Sequence, residues 1–284
     1  DAELMLGVYM GAYGAPEARG VATGVHDPVY ARTVALREGD EEVIMTILDL
    51  PGLGNRYTRR IREDVAALTG LDPLRIWVGA THSHASPDFM GLWGGVPDAY
   101  ADRVVSLVVG GMVDALNNAD PVDLHVGTGA AENRNRRGWP LTDTAVTVLD
   151  ARDPQGARVG TVAVFAAHPV VLGESNKEIS RDWPGWAVDA AEARSVPMDP
   201  DAVIRSASLQ HPEVSFDDAT RDAISATREV NAPSFSMSEP RECFNGMDTV
   251  ALFIIPSPDV EVFSLHMTRE ETMSSHVLVN SALS

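Results

Sequence analysis

Thr81-His82-Ser83-His84 stands directly after an apolar run, Arg75-Ile-Trp-Val-Gly-Ala80, whose composition reads as a strand. Two histidines one residue apart project to the same side of an extended backbone, because side chains alternate with a period of two. One imidazole can then hold a metal while the other faces whatever binds beside it. Ser86-Pro87 and Gly91-Leu-Trp-Gly-Gly95 follow, so the pair opens onto a loop at a strand end, where sites usually sit on a rigid scaffold. A third histidine, His168, closes the strand-like run Gly160–Ala167 and precedes Pro169. If the two strands neighbour one another in one sheet, their histidines converge. Neutral imidazoles suit zinc, which in catalytic sites takes three protein ligands and a water and accepts a carboxylate among them. The chemistry this pattern points to is metal-dependent hydrolysis.

Other polar segments carry two readings each. Asn133-Arg-Asn-Arg-Arg137 is a solvated basic loop by default, or a loop that aims one guanidinium at a developing oxyanion. Asp182, in Ser180-Arg-Asp-Trp-Pro-Gly185, is placed to cap a helix with Pro184 in its first turn, or to orient a ligand histidine. His26 is left open. His125, His211, His266 and His276 read as structural or surface residues.

The elements that must position these groups follow from periodicity and turn signals. Val29–Leu36 and Val43–Leu50 flank the turn Arg37-Glu-Gly-Asp40 and read as a hairpin. Asn55 to Thr69 places Tyr57, Ile61, Val65 and Leu68 at helical spacing before Gly70, and Pro97 to Asn118 reads as a longer helix. Strands are expected at Val122–Val126, Thr144–Leu149, Gly160–Ala167 and Thr249–Ile255, and helices at Pro184–Arg194 and Asp217–Val230. Asn231–Asn245 reads as a loop. The fold class is therefore α/β, with mixed β-sheets packed with helices in a single catalytic domain over residues 1–284. The alternative boundary falls near Pro197–Pro200, and the portion from residue 200 on is the least regular.

Composition narrows the partners. The 284 residues carry a net charge of -19, which repels a phosphate backbone, and nucleic acid is not expected to bind. An anionic membrane is repelled at long range, although a local apolar patch allows transient contact with a membrane surface. Cys243 is the single cysteine, so the chain has no internal disulfide and no paired-cysteine metal site. The apolar runs around Val104–Val113 and Thr161–Leu172 are too short to cross a bilayer, and a soluble protein is expected. The chain opens on Asp1 rather than Met, which suggests a processed N-terminus.

Five ordered segments between about residues 7 and 192 resemble the neutral/alkaline, non-lysosomal ceramidases and their shorter bacterial relatives. They are Gly24-Val-His-Asp-Pro-Val-Tyr-Ala-Arg32, Ala80-Thr-His-Ser-His-Ala-Ser-Pro-Asp88, Asn133-Arg-Asn-Arg136, Phe165-Ala-Ala-His-Pro169 and Ser180-Arg-Asp-Trp-Pro-Gly185. The resemblance implies a zinc-dependent amidase that cleaves N-acylsphingosine (ceramide) or a related lipid amide by zinc-activated water. It implies His82 and His168 as metal ligands, His84 as a catalytic group beside the scissile amide, and Arg136 as the oxyanion donor. It also implies an exported protein, secreted or periplasmic. The family completes its zinc site with a glutamate and a tyrosine from its C-terminal half. Here Ile255-Pro-Ser-Pro-Asp-Val-Glu261 is the nearest counterpart, which makes Glu261 the candidate carboxylate, with Asp259 beside it, and no tyrosine follows Tyr100. A non-catalytic relative that binds without cleaving is the alternative that this departure leaves.

Overall fold

The computed structural model describes residues 7–12, 19–118, 121–131, 133, 138, 140 and 142–192, together with the backbone of three strands at 251–256, 262–268 and 274–281. Eleven strands and three α-helices are assigned within these residues. In chain order they are β1 (Gly24–Val25), β2 (Ala31–Glu38), β3 (Glu41–Leu48), α1 (Asn55–Thr69), β4 (Ile76–Ala80), α2 (Asp98–Asn117), β5 (Asp123–Ala130), β6 (Ala145–Arg152), β7 (Arg158–Phe165), β8 (Glu178–Ile179), α3 (Asp182–Glu192), β9 (Ala251–Pro256), β10 (Val262–Thr268) and β11 (Ser274–Ser281). The α/β class with mixed sheets is as the sequence implies. The expected helix Asp217–Val230 and loop Asn231–Asn245 lie outside the described residues.

Local chemistry explains most boundaries. The β2–β3 hairpin pairs Glu38 with Glu41, so both strands run closer to the turn than expected, and Gly39 takes the left-handed φ of 56° that the tight connection requires. In α1, Tyr57, Ile61 and Val65 form the buried stripe, while Leu68 is 67% exposed and does not extend it. Gly70 ends the helix in the left-handed region at φ 79°, its N–H returning to the Ala66 carbonyl.

Two sheets organise the core. One has the order β10-β11-β2-β3-β4, antiparallel except for the parallel β3–β4 pair, and the other is the antiparallel β5-β6-β7-β9. Alternation along each strand sorts its side chains between two cores. From β2 and β3, Ala35, Ile44 and Leu48 turn to a core shared with Ile61 and Val65 of α1 and with Val105, Val108 and Met112 of α2. Their neighbours Val34 and Ile47 turn the other way, onto Ala151 and Val162 of the second sheet. That sheet's opposite face, Val146, Val148 and Phe165, packs on Trp183, Trp186 and Val188 of α3. The result is four layers, helices outside and two sheets stacked between them.

This stacking changes how the strand ends meet. Sequence reasoning asked that the strands before His82 and His168 be neighbours in one sheet. Instead β4 belongs to one sheet and β7 to the other, and the loops beyond them come together across the sandwich. β7 also stops at Phe165, where the Ala167 amide turns back to the Phe165 carbonyl, so His168 lies in the following loop rather than closing the strand.

Candidate metal centre

Past β4 the backbone leaves the extended region. Thr81 still pairs its amide with the Leu48 carbonyl, but His82 adopts φ 70°. A left-handed conformation is uncommon for a residue with a Cβ and concentrates at functional sites. Strict alternation therefore does not bring His82 and His84 together; a left-handed bend does. The outcome is convergent all the same. His84 Nε2 lies 3.3 Å from His82 Nε2 and 3.0 Å from His168 Nε2. All three donor atoms fall within 4.8 Å of one another. The His82 and His168 rings stack at 24°, and both meet the His84 ring edge-on.

The opposite ring nitrogens show what these imidazoles are built to do. His82 Nδ1 faces the Pro51 carbonyl at 2.5 Å, and His84 Nδ1 faces the Ala12 carbonyl at 2.8 Å. A carbonyl only accepts, so each Nδ1 carries the proton and each Nε2 turns a lone pair inward. Lone pairs that face one another repel, and a cation between them relieves this. The spacing fits as well: at a zinc–nitrogen distance of about 2.05 Å, the edge of a tetrahedron is about 3.3 Å. Three converging imidazoles, two of them with backbone-held Nδ1–H groups, are a donor set suited to zinc. Burial lowers the pKa of His84 to about 4, and the charges of its two neighbours push the same way. His82 is also lowered by burial, against the Pro51 hydrogen bond that favours its charged form. Both rings are therefore poised neutral at pH 7, the form a metal requires.

Buried groups fix the three loops that carry the donors. Asp49, at the end of β3, accepts from the Tyr30 amide and from Arg32, which braces the turn into Pro51. Asp182 is the first residue of α3 and accepts the amide of Trp183 next to it, not one two or three residues on as a capping side chain would. It also takes the Val171 and Leu172 amides at 3.2 and 3.0 Å, clamping the loop beyond His168. Its carboxylate thus orients that loop's backbone. Burial raises its pKa, and the three amides oppose the rise. Trp93 packs against the His84 ring at 5.6 Å between centroids, and Asp88 holds the surrounding loop by accepting from the Met90, Gly91, Trp93 and Gly95 amides.

The remaining sequence candidates divide cleanly. Asn133 donates to the Ala166 carbonyl, tying the start of the basic loop to the approach to His168. Arg136 itself, and Glu261 with Asp259, lie outside the described residues. His26 pairs with Asp27, whose carboxylate also takes Ser180 Oγ and the Arg181 amide and guanidinium. Arg181 in turn makes a two-pronged pair with Asp189 at 2.8 Å. The Gly24-Val-His-Asp and Ser180-Arg-Asp segments are therefore bound to one another, through this cluster and the parallel β1–β8 pair, and serve as scaffold. Sequence reasoning missed Arg19, Asp49 and Asp88: Arg19 binds carbonyls of distant segments, Asp49 the Tyr30 amide and the Arg32 guanidinium, and Asp88 the amides of its own loop, none of which leaves a spacing signal.

Fold and site together define a four-layer α/β protein with a three-histidine centre able to hold a metal ion. No family model matches the sequence, and no curated protein does. Among solved structures the chain is similar to the neutral ceramidase from Pseudomonas aeruginosa, with a TM-score of 0.64 and 17% identity over 81% of this chain and 44% of that one. It is likewise similar to a ceramidase complexed with C2, with a TM-score of 0.63 and 18% identity over 81% of this chain and 43% of the other. The chain thus spans less than half the length of these proteins, and what it shares with them is the fold.

Proposed function

We propose that the protein is a zinc-dependent hydrolase that cleaves the amide bond of an N-acylsphingosine or a related lipid amide. The observation that carries this reading is the convergence of the His82, His84 and His168 Nε2 atoms at 3.0 and 3.3 Å, on a fold shared with ceramidases. A divalent ion held there would polarise an amide carbonyl and acidify a water, the two things a poor electrophile needs. The chain's own residues do the preparatory work. Pro51 and Ala12 fix the tautomers of His82 and His84, so neither of these rings has to reorient or shed a proton from Nε2. Trp93 closes one side of the His84 ring against water.

The role of His84 has two readings within this function. The resemblance makes it a proton-transfer group beside the amide. The geometry favours a third metal ligand, because its Nε2 is the one that lies close to both of the others and its Nδ1 is committed to Ala12. Arg136 stays the proposed oxyanion donor and Glu261 the proposed carboxylate ligand. Export from the cytoplasm belongs to the same reading.

A paired measurement tests it: metal content after zinc loading, and release of labelled fatty acid from N-acylsphingosine, for wild type and His82→Ala. The expected result is stoichiometric zinc and hydrolysis in wild type, both lost in the variant. Wild type that takes up no zinc, or hydrolysis that survives His82→Ala, overturns the proposal.

A further inference from the structure

Arg19 is 1% exposed and lies beneath the histidine centre. All five of its N–H groups donate to backbone carbonyls. Nε reaches Asn176 at 2.7 Å; Nη1 reaches Gly11 at 3.2 Å and His84 at 2.5 Å; Nη2 reaches Leu172 and Gly173 at 3.2 Å each. A guanidinium has five such donors in one rigid plane, so this fork is fully used. It has none left for a substrate oxyanion. Its work is to join three chain segments that are far apart in sequence.

Those segments are the ones that hold the donors. Gly11 precedes Ala12, whose carbonyl fixes the His84 tautomer, so Arg19 grips both the His84 backbone and the segment that orients its ring. Leu172 and Gly173 belong to the loop that leaves His168, clamped at its amides by Asp182 and at its carbonyls by Arg19. Gly11 fits the same junction from the other side: a Cβ there would lie 2.9 Å from the His84 carbonyl oxygen and 3.0 Å from its Cα. The two histidines follow strands of opposite sheets, and besides Arg19 a backbone bond, from the His84 amide to the Pro169 carbonyl at 3.3 Å, joins their segments directly.

We propose that Arg19 is the positioning residue of the histidine centre, setting the distance between the His84 and His168 donors and so the affinity and geometry of the bound ion. This rests on the metal reading proposed above. Lysine at this place supplies the charge from a single point and cannot span the three segments.

The test uses zinc and cobalt ions alone, on full-length wild type and Arg19→Lys, with near-UV circular dichroism to select folded protein. Competition against a chromophoric chelator should show zinc held about 10- to 100-fold more weakly by Arg19→Lys, the range typical of lost metal-site support. The cobalt visible spectrum should lose the intensity of a four-coordinate site. Equal affinity and an unchanged cobalt spectrum in the folded variant overturn the proposal and leave the metal reading intact. Wild type that binds neither ion overturns both. If Arg19→Lys does not fold, nuclear magnetic resonance of the wild-type guanidinium decides: resolved, slowly exchanging N–H signals that shift on zinc addition support positioning, and signals indifferent to zinc overturn it.

Discussion

Acidifying the metal-free protein should cost it stability through His84. The unfolded imidazole takes a proton near pH 6.5, whereas the folded one stays neutral down to about 4. Between those values the unfolded chain binds more protons, so the contribution is whole above about pH 6.5 and is lost as pH falls toward 4. A depression of about 2.5 units sets a ceiling of about 3.4 kcal/mol. The ring borders two half-buried imidazoles at the mouth of the centre, and solvent screening there reduces the expected effect to about 1–2 kcal/mol. Urea denaturation of chelator-treated wild type and His84→Gln, at about pH 7 and about pH 4.5, measures it. Glutamine keeps a donor for the Ala12 carbonyl but has no titrating group. The stability of wild type relative to the variant should fall by about 1–2 kcal/mol on acidification. His82 is lowered in the same direction in both proteins and cancels in the difference. A difference that stays constant, or moves in favour of wild type, would refute the reasoning that His84 is held neutral by its surroundings.

Two further substitutions probe the supports of the centre. Asp182→Asn replaces an acceptor of three backbone amides by a group with one oxygen and a donor that faces an N–H; it should cost about 1–3 kcal/mol in chemical denaturation and weaken zinc binding with it. Gly11→Ala puts a methyl 2.9 Å from the His84 carbonyl oxygen, against backbone that Arg19 holds in place; it should lower zinc affinity at least tenfold in a chelator competition, with secondary structure by far-UV circular dichroism unchanged.

Much of the fold was legible because its signals are local. Helix α1 is found within its expected bounds, since a stripe of Tyr57, Ile61 and Val65 and the terminating Gly70 lie within one short stretch. The β2–β3 hairpin is legible for the same reason. Sheet membership was not, because β4 and β7 show the same apolar pattern whether they share a sheet or face one another across a sandwich. At the site, residue type and a place just past strand ends were enough to single out His82, His84 and His168, which the structure brings together, although His84 was expected beside the substrate and not as a ligand. The reason offered for their convergence was not the right one: period-two alternation requires extended backbone, and His82 is left-handed. Support by Arg19 and Asp88 was illegible in a stronger sense, since each binds backbone atoms, and any residue type presents the same carbonyl or amide; Asp182 was expected to cap a helix or orient a histidine, but not to clamp the Val171–Leu172 backbone.

Backbone strain and the resemblance motifs lead to one division of labour. Among the described residues, two without glycine's freedom have positive φ: His82 at 70° and Asp182 at 57°. Each such conformation costs on the order of 1–3 kcal/mol and persists where surroundings over-determine it. One is a donor of the centre, and the other clamps the loop that carries a second donor. Strain thus falls on the residue where the chain turns out of β4 and on the first residue of α3. The cluster of His26, Asp27, Ser180, Arg181 and Asp189, by contrast, spends its charges on one another and leads straight into Asp182 through the Ser180 hydroxyl, which accepts the Asp182 amide at 3.0 Å. Its part is to hold the strained residue in place. Of the five resembling segments, two carry the three histidines, and the Gly24–Arg32 and Ser180–Gly185 segments act on the centre through the backbone they hold.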